Sequence, residues 1–262
     1  MTMTTIQTKL ERFEVLGVKF SAINMPEACE VIDEVIARRD KGYVCVCPVS
    51  TIMECQKDEN FRRIVNSATL VTPDGMPSVW LGRMYGYKNI ARVYGPDLLL
   101  AVCEMSSRKG YKNYFYGGTP EVLEKLALNL TARFPGLKIC GTYAPPFRAL
   151  TDVEDKKIVE EINSKGPDVI WVGLGSPKQD LWIDQHRGQL NAPMMLAVGA
   201  AFDFLSGTKP QAPKWMQQAG LEWFFRLCCE PQRLWRRYLI GNTQFLYLLF
   251  KNFLFKGAVK KP

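Results

Sequence analysis

A chain of 262 residues, 47% hydrophobic and 23% charged, can bury a real core as one domain plus an appendage. Eight cysteines with no C-x-x-C, several of them in apolar runs, exclude a disulfide framework and read as reduced core thiols of a cytosolic protein; one histidine, His186, excludes a His-rich zinc site. The net charge of +8 is confined to one end, because residues 206–262 carry ten Lys/Arg against two acids while residues 1–205 balance.

The N-terminus, Met1 to Gln7, is polar and has no apolar h-region, so no signal peptide is expected. Beyond it, apolar runs alternate with amphipathic segments. The spacing predicts a helix over Pro26–Arg39, a strand over Tyr43–Val49, a helix over Thr51–Asn66 and a strand over Thr69–Thr72. A helix over Pro96–Lys109, a strand over Asn113–Tyr116, a helix over Pro120–Phe134 and a strand over Lys138–Thr142 follow. The rhythm ends with a helix over Thr151–Ser164, a strand over Val169–Val172, a helix over Lys178–Arg187 and a strand over Met194–Val198. Thr119-Pro120-Glu121, and Thr151 with Glu154 three residues on, are helix-start signals. This alternation predicts an α/β fold, a Rossmann-like parallel sheet with helices on both faces.

Near Ser206 the rhythm stops. Gly207 to Pro213 reads as a linker, and helical pattern, broken at Pro231, runs to the end. The body is therefore residues 1–205 and the appendage residues 206–262. The appendage is basic and rich in Trp, Tyr and Phe, a composition suited to an anionic membrane surface. Its most apolar stretch, Leu239 to Phe255, is interrupted by Asn242, Thr243, Gln244, Lys251 and Asn252, so it is expected to lie on a bilayer rather than cross one. The same apolar stripe suits a second subunit, as a homo-oligomer. Nucleic acid is not an expected partner, since the body is neutral and carries no reading motif.

In a doubly wound sheet, ligands bind where strands end and helices begin. Four junctions qualify: Pro48-Val-Ser-Thr51, Thr72-Pro-Asp74-Gly75, Tyr116-Gly117-Gly118-Thr119, and Gly173-Leu-Gly175-Ser-Pro-Lys-Gln179. The glycines let backbone N–H groups approach a phosphate at a helix N-terminus, and they equally serve as plain turns. No G-x-G-x-x-G and no P-loop pattern is present, which argues against dinucleotide and P-loop readings. Asp74 reads as a general base towards a hydroxyl, or as a turn or cap. Arg92 reads as a phosphate partner or a structural ion pair, Asp203 as a ribose ligand or a cap, and Phe147 as a base-stacking or merely packing ring. Arg226, Arg233, Arg236 and Arg237 fall at helical spacings, and clustered guanidinium groups grip a diphosphate through charge-assisted bonds.

Taken together, these motifs resemble the WecG/TagA/CpsF family, glycosyltransferase family 26. The matching residues are Thr51 with Met53 to Asp58, Asn66 to Gly75, Arg92 to Gly95, Gly117-Gly118, Gly173 to Gln179, Gly199 to Asp203, and Leu221 through Arg237. They run in the family's order from about residue 13 to 238. The resemblance implies an inverting, metal-independent transfer from a UDP-sugar to a polyprenyl-diphosphate-linked sugar, in bacterial surface-polysaccharide or wall-polymer assembly. It places the protein peripherally on the cytoplasmic face of the inner membrane, with no cofactor. It implies Asp74 as base, with Thr51, Arg92 and Gln179 in the active site. Phe147 would meet uracil, Asp203 would meet ribose, and Arg226, Arg233 and Arg236 would close over the diphosphate. Pro48 and Ser50 depart from the family's usual Asn and frequent His, so N-acetylmannosamine, its uronic acid, glucose and galactose are all open as donor sugars. No D-x-D is present to hold a metal on a UDP-sugar, which leaves arginine to neutralise the leaving group. The rival readings are a non-catalytic, membrane-docked binder of lipid diphosphates and a nicotinamide oxidoreductase.

Overall fold

The computed structural model describes residues 10–256. Met1 to Gln7, together with Lys260 and Lys261 of the basic tail, lie outside the described residues, as do the side chains of Phe255 and Lys256. The chain opens with a hairpin, β1 (Arg12–Val15) and β2 (Val18–Ser21), followed by α1 (Met25–Arg38), β3 (Gly42–Cys47), α2 (Val49–Lys57), α3 (Glu59–Asn66) and β4 (Leu70–Pro73). Next come α4 (Met76–Met84), α5 (Gly95–Lys109), β5 (Lys112–Gly117), α6 (Pro120–Arg133), β6 (Lys138–Tyr143) and α7 (Asp152–Lys165). The body closes with β7 (Val169–Gly173), α8 (Lys178–His186), β8 (Met194–Ala197) and α9 (Ala201–Leu205). The rest is α10 (Lys214–Gln218), α11 (Glu222–Cys229) and α12 (Pro231–Trp235), which runs through a π-helical turn (Arg236–Ile240) into α13 (Gly241–Lys256).

Strands β3 to β8 form one sheet of six in the order β4-β3-β8-β7-β5-β6, every pair parallel. Successive residues of a buried strand point to opposite faces. Tyr43, Cys45 and Cys47 of β3 therefore join a core with α2, α3, α7 and α8, while Val44 and Val46 join a second core with α1, α5, α6 and α9. Strand β7 divides in the same way, with Ile170 and Val172 on the first side and Val169 and Trp171 on the second. The expected Rossmann-like sheet with helices on both faces is what forms. The helix starts read at Thr119 and Thr151 also form, Thr151 in a full capping box with Glu154.

Four details differ from the sequence reading. The hairpin was not expected, although Phe13, Val15, Val18 and Phe20 alternate and are all buried around a Leu16-Gly17 turn with both φ positive. The helix expected over Thr51–Asn66 is two helices, because Asp58 is extended (φ −132°, ψ 110°) and caps α3 through Phe61 N at 3.0 Å. Helix α4, which has Pro77 in its first turn, was passed over. Cys228 and Cys229 are exposed on α11 and are not core thiols.

After Ser206 no strand follows among the described residues, and α10 to α13 fold back over the carboxyl edge of the sheet. Phe245 of α13, 2% exposed, joins the core on the α2 side. No helix among the described residues is long and apolar enough to cross a membrane.

Candidate active site

All the predicted junctions fall at the carboxyl edge of the sheet, where β3, β4, β5, β7 and β8 hand over to loops or helices. A cavity of about 200 Å³ lies there. Its wall includes Pro48 after β3, Asp74 after β4, Gly173, Gly175 and Gln179 around the β7–α8 loop, and Asp203 on α9. The appendage supplies the far wall with Glu222, Arg226, Arg233 and Arg237.

Asp74 leaves β4 just before the glycine that caps α4. Its Oδ1 accepts the Gly95 N–H at 3.1 Å, at the first turn of α5. Burial pushes its carboxyl up to about 6, against the lowering pull of Arg92, with Glu222 adding to the rise. Arg92 does not face the cavity as a free phosphate ligand. Its Nε donates to the Asp74 carbonyl oxygen and its terminal nitrogen to Glu222, while the guanidinium lies 3.9 Å from the Tyr94 ring centroid. Tyr94 Oη donates to the other oxygen of Glu222 at 2.8 Å. Glu222, the first residue of α11, thus ties the appendage to the strand loop that carries Asp74. The sequence reading passed over Glu222; its one signal was an acid in a tail that holds only two.

The arginines divide differently from their helical spacing. Arg226 lies 5.3 Å from the Phe204 ring. Arg233 is held by Glu230, the residue that caps the start of its helix, and Glu230 also meets Lys209 at 3.4 Å. Arg237 donates to Ser50 Oγ at 2.6 Å, and its Nε is buried without a partner. Burial, then neighbouring Arg226 and Arg233, press the Arg237 guanidinium below its ordinary value. Arg236 lies over Trp235 and lines a cavity of about 420 Å³ beside Lys57, whose wall Arg233 and Arg237 share. Of the two neighbouring arginines, Arg237 is the one that rests against Ser50.

The remaining predicted residues sort by depth. Thr51 is 1% exposed and lies behind the cavity, donating to Ser176 Oγ at 3.2 Å. Gln179 is 3% exposed and accepts the Gly175 N–H at 3.1 Å, so that amide is spent on the loop. Gly175 (φ +79°) has open space where a side chain would be. Gly117 and Gly118 lie beneath the cavity: a Cβ on Gly117 would stand 2.7 Å from the Gly173 backbone, and one on Gly173 would stand 2.4 Å from the Phe202 ring. Those two glycines serve close packing of β5, β7 and α9. Asp203 is paired with Lys209 at 2.9 Å. Phe147, on the loop after β6, is 98% exposed and is not brought to the cavity wall. Among the described residues, no three His, Cys, Asp or Glu side chains are grouped to hold a metal ion.

Chemically, the edge combines a carboxyl group pushed up to about 6 with three arginines, of which Arg233 is paired with Glu230. Comparison with known proteins identifies the family. The model of the "Glycosyl transferase WecG/TagA/CpsF family" matches residues 13–258. An N-acetylglucosaminyldiphosphoundecaprenol N-acetyl-beta-D-mannosaminyltransferase of Bacillus subtilis (strain 168) is 29% identical over 184 residues, covering 70% of this chain and 69% of that protein. A protein of the same name from Staphylococcus aureus (strain NCTC 8325 / PS 47) is 25% identical over 252 residues, covering 95% of each. With nearly its whole length matched, from the hairpin to the last helix, the chain belongs to the WecG/TagA/CpsF family of glycosyl transferases.

Proposed function

We propose that the protein transfers an N-acetylhexosamine, N-acetylmannosamine first among the candidates, from its UDP derivative to a sugar carried on a polyprenyl diphosphate. The observation that carries this reading is the meeting of Asp74 with Arg226, Arg233 and Arg237 around one cavity at the sheet's carboxyl edge. The relatives' names supply the acceptor class, an N-acetylglucosaminyl diphosphate on a polyprenol.

The reaction is a single displacement with inversion. An acceptor hydroxyl oxygen attacks the anomeric carbon from the face opposite UDP. Asp74 takes the hydroxyl proton as the new C–O bond forms. The bond from the anomeric carbon to the β-phosphate oxygen breaks, and its electron pair leaves on UDP. A carboxyl near 6 suits this role, because a general base works best when its pKa is close to the working pH. The leaving diphosphate gains charge in the transition state, and fixed guanidinium groups there stabilise it without a metal ion or other cofactor. The protein does this on the cytoplasmic face of the membrane, with the exposed apolar residues of α13 and the tail's positive charge resting on anionic lipid.

The test is UDP release from a panel of UDP-sugars with a synthetic N-acetylglucosaminyl-diphosphate lipid, with and without EDTA. Release that needs the acceptor, survives EDTA and is greatest with one UDP-N-acetylhexosamine is expected. Release from no donor while the acceptor still binds would favour a non-catalytic binder of lipid diphosphates.

A further inference from the structure

Of the three cavity arginines, Arg233 alone is held by a carboxylate among the described residues, since Arg226 rests on the Phe204 ring and Arg237 on Ser50 Oγ. Its partner, Glu230, is shared. Glu230 Oε1 accepts Arg233 Nε at 3.0 Å and stands 3.4 Å from Lys209 Nζ, while Oε2 accepts a terminal nitrogen of Arg233. Lys209, in the linker between α9 and α10, is in turn paired with Asp203 at 2.9 Å. Its backbone N–H also donates to the Asp203 carbonyl oxygen at 3.1 Å, which fixes the linker to the end of α9. Arg233, ahead of Lys209, holds the Glu230 carboxyl below its ordinary value despite partial burial, so Glu230 is an anion at neutral pH. Asp203, Lys209, Glu230 and Arg233 thus form one row of alternating charge from the body, through the linker, to the start of α12. Both ends of the row line the cavity of about 200 Å³; Lys209 and Glu230 do not.

A carboxylate that takes two N–H groups of a guanidinium occupies the edge that a phosphate oxygen would need. Glu230 therefore stands against Arg233 as a rival to any diphosphate in the cavity. Arg233 is 53% exposed at its side chain and also lines the neighbouring cavity of about 420 Å³, so it has room to turn. An ion pair this exposed is weak, and a diphosphate brings more than one negative charge against a single carboxylate, so the ligand can win. Release of Arg233 does not strand Glu230, because Oε1 still faces Lys209. We infer that Glu230 competes with the donor's diphosphate for Arg233, and that Lys209, held in place by Asp203, takes Glu230 over as Arg233 turns to the phosphates. Glu230 and Lys209 are then positioning residues: neither touches the nucleotide, and both set how much of the Arg233 charge it meets. This assignment rests on the glycosyl-transfer reading above and goes beyond it, to how the leaving group is received and released. After transfer, Glu230 takes Arg233 back, and UDP leaves more readily.

The test is calorimetric titration of the full chain with UDP, with a thermal melt of each variant to confirm that it folds. Glu230→Gln keeps a polar side chain at the start of α12 and sheds the competing charge. It should bind UDP about two- to fivefold more tightly than wild type, the range that an exposed ion pair spans. A gain of affinity is a readout that structural damage does not produce. In an Arg233→Ala background the same substitution should gain nothing, because the competition acts through that arginine. Lys209→Met leaves Glu230 to Arg233 alone and should weaken UDP binding about twofold or more. That loss should vanish in a Glu230→Gln background, whereas a lysine that met the phosphates directly would still cost affinity there. Unchanged or weaker UDP binding by folded Glu230→Gln, or a gain that persists without Arg233, would overturn the competition and leave the transfer reading standing. Should Glu230→Gln fail to fold, Lys209→Met decides alone, and a UDP affinity equal to that of wild type overturns it. A wild-type chain that does not bind UDP would overturn the nucleotide-donor reading and this inference with it.

Discussion

Asp74 is asked to be charged in a place that disfavours charge, and two measurable consequences follow. The first concerns rate. A base must be ionised to accept a proton, so kcat/KM should rise with pH and level off above about 6. Below that it should fall about tenfold per pH unit, and an acid limb centred near 4 would contradict the assignment. The second concerns stability. The folded carboxyl titrates near 6 and its ordinary value is 3.8, so the native state binds the proton more tightly than the unfolded chain. Ionising Asp74 therefore costs the fold: the penalty is complete above about pH 6 and absent below about pH 4. Asp74→Asn keeps an acceptor for the Gly95 N–H and sheds the charge. It should raise Tm by a few degrees near neutral pH, on the order of 1–3 kcal/mol, and change nothing near pH 4. Thermal melts at the two pH values check this; equal or lower stability of the variant near neutrality would count against a destabilised charge. Asp180 is a second buried carboxyl, pushed up to about 6 by burial despite nearby Cys45 and Ser176, but it lines neither cavity.

At the scale of elements, the joint between α11 and the strand loops decides whether the site is assembled. Glu222 and Arg92 are 12% and 16% exposed at their side chains, and Tyr94 completes the set. Removing one partner of a largely buried pair leaves an uncompensated charge and typically costs about 3–5 kcal/mol. Glu222→Ala should therefore loosen α11 to α13 from the body while the central sheet stays protected. Hydrogen exchange measures this: faster exchange in residues 214–256 and unchanged protection in β3, β7 and β8 is the expected pattern. Uniform change across the chain, or none, would mean that this joint does not hold the appendage. The same scale shows what a linear reading can and cannot see. The six parallel strands were legible within a residue or two because five are largely buried runs ended by glycine, proline or a polar turn, and the edge strand β6, only half-buried, follows a clear helix start. The hairpin was overlooked because its signal is a four-residue alternation split by a turn. Asp58 was read through because the apolar period of α2 resumes in α3. Asp74 and Gln179 were legible as strand-end residues. The Glu222–Arg92 pair was not, since its partners are 130 positions apart and only the folding back of the appendage joins them. The choice of Arg237 over Arg236 at the cavity depends on helical phase across a π-turn, which spacing alone does not fix.

For the whole molecule, the division of charge makes a testable prediction about anionic surfaces. All eight net positive charges belong to residues 206–262, the part that also exposes Tyr247, Phe250, Phe253 and Leu254. Basic residues near an anionic surface each contribute about 1 kcal/mol, screened by salt, while apolar side chains contribute a term that salt does not screen. The protein should therefore co-sediment with vesicles containing phosphatidylglycerol, bind phosphatidylcholine vesicles far more weakly, and lose most of the difference at about 1 M salt. Equal binding to both vesicle types would leave the positive charge to the substrate alone. The central claim is that Asp74 takes the acceptor's proton during sugar transfer. It is tested most directly by acceptor-dependent UDP release from wild type and Asp74→Asn under identical saturating conditions. General-base catalysis contributes about 10²–10⁴-fold, so the variant should lose at least a hundredfold in kcat while still binding UDP. Turnover by Asp74→Asn at the wild-type rate would contradict the account.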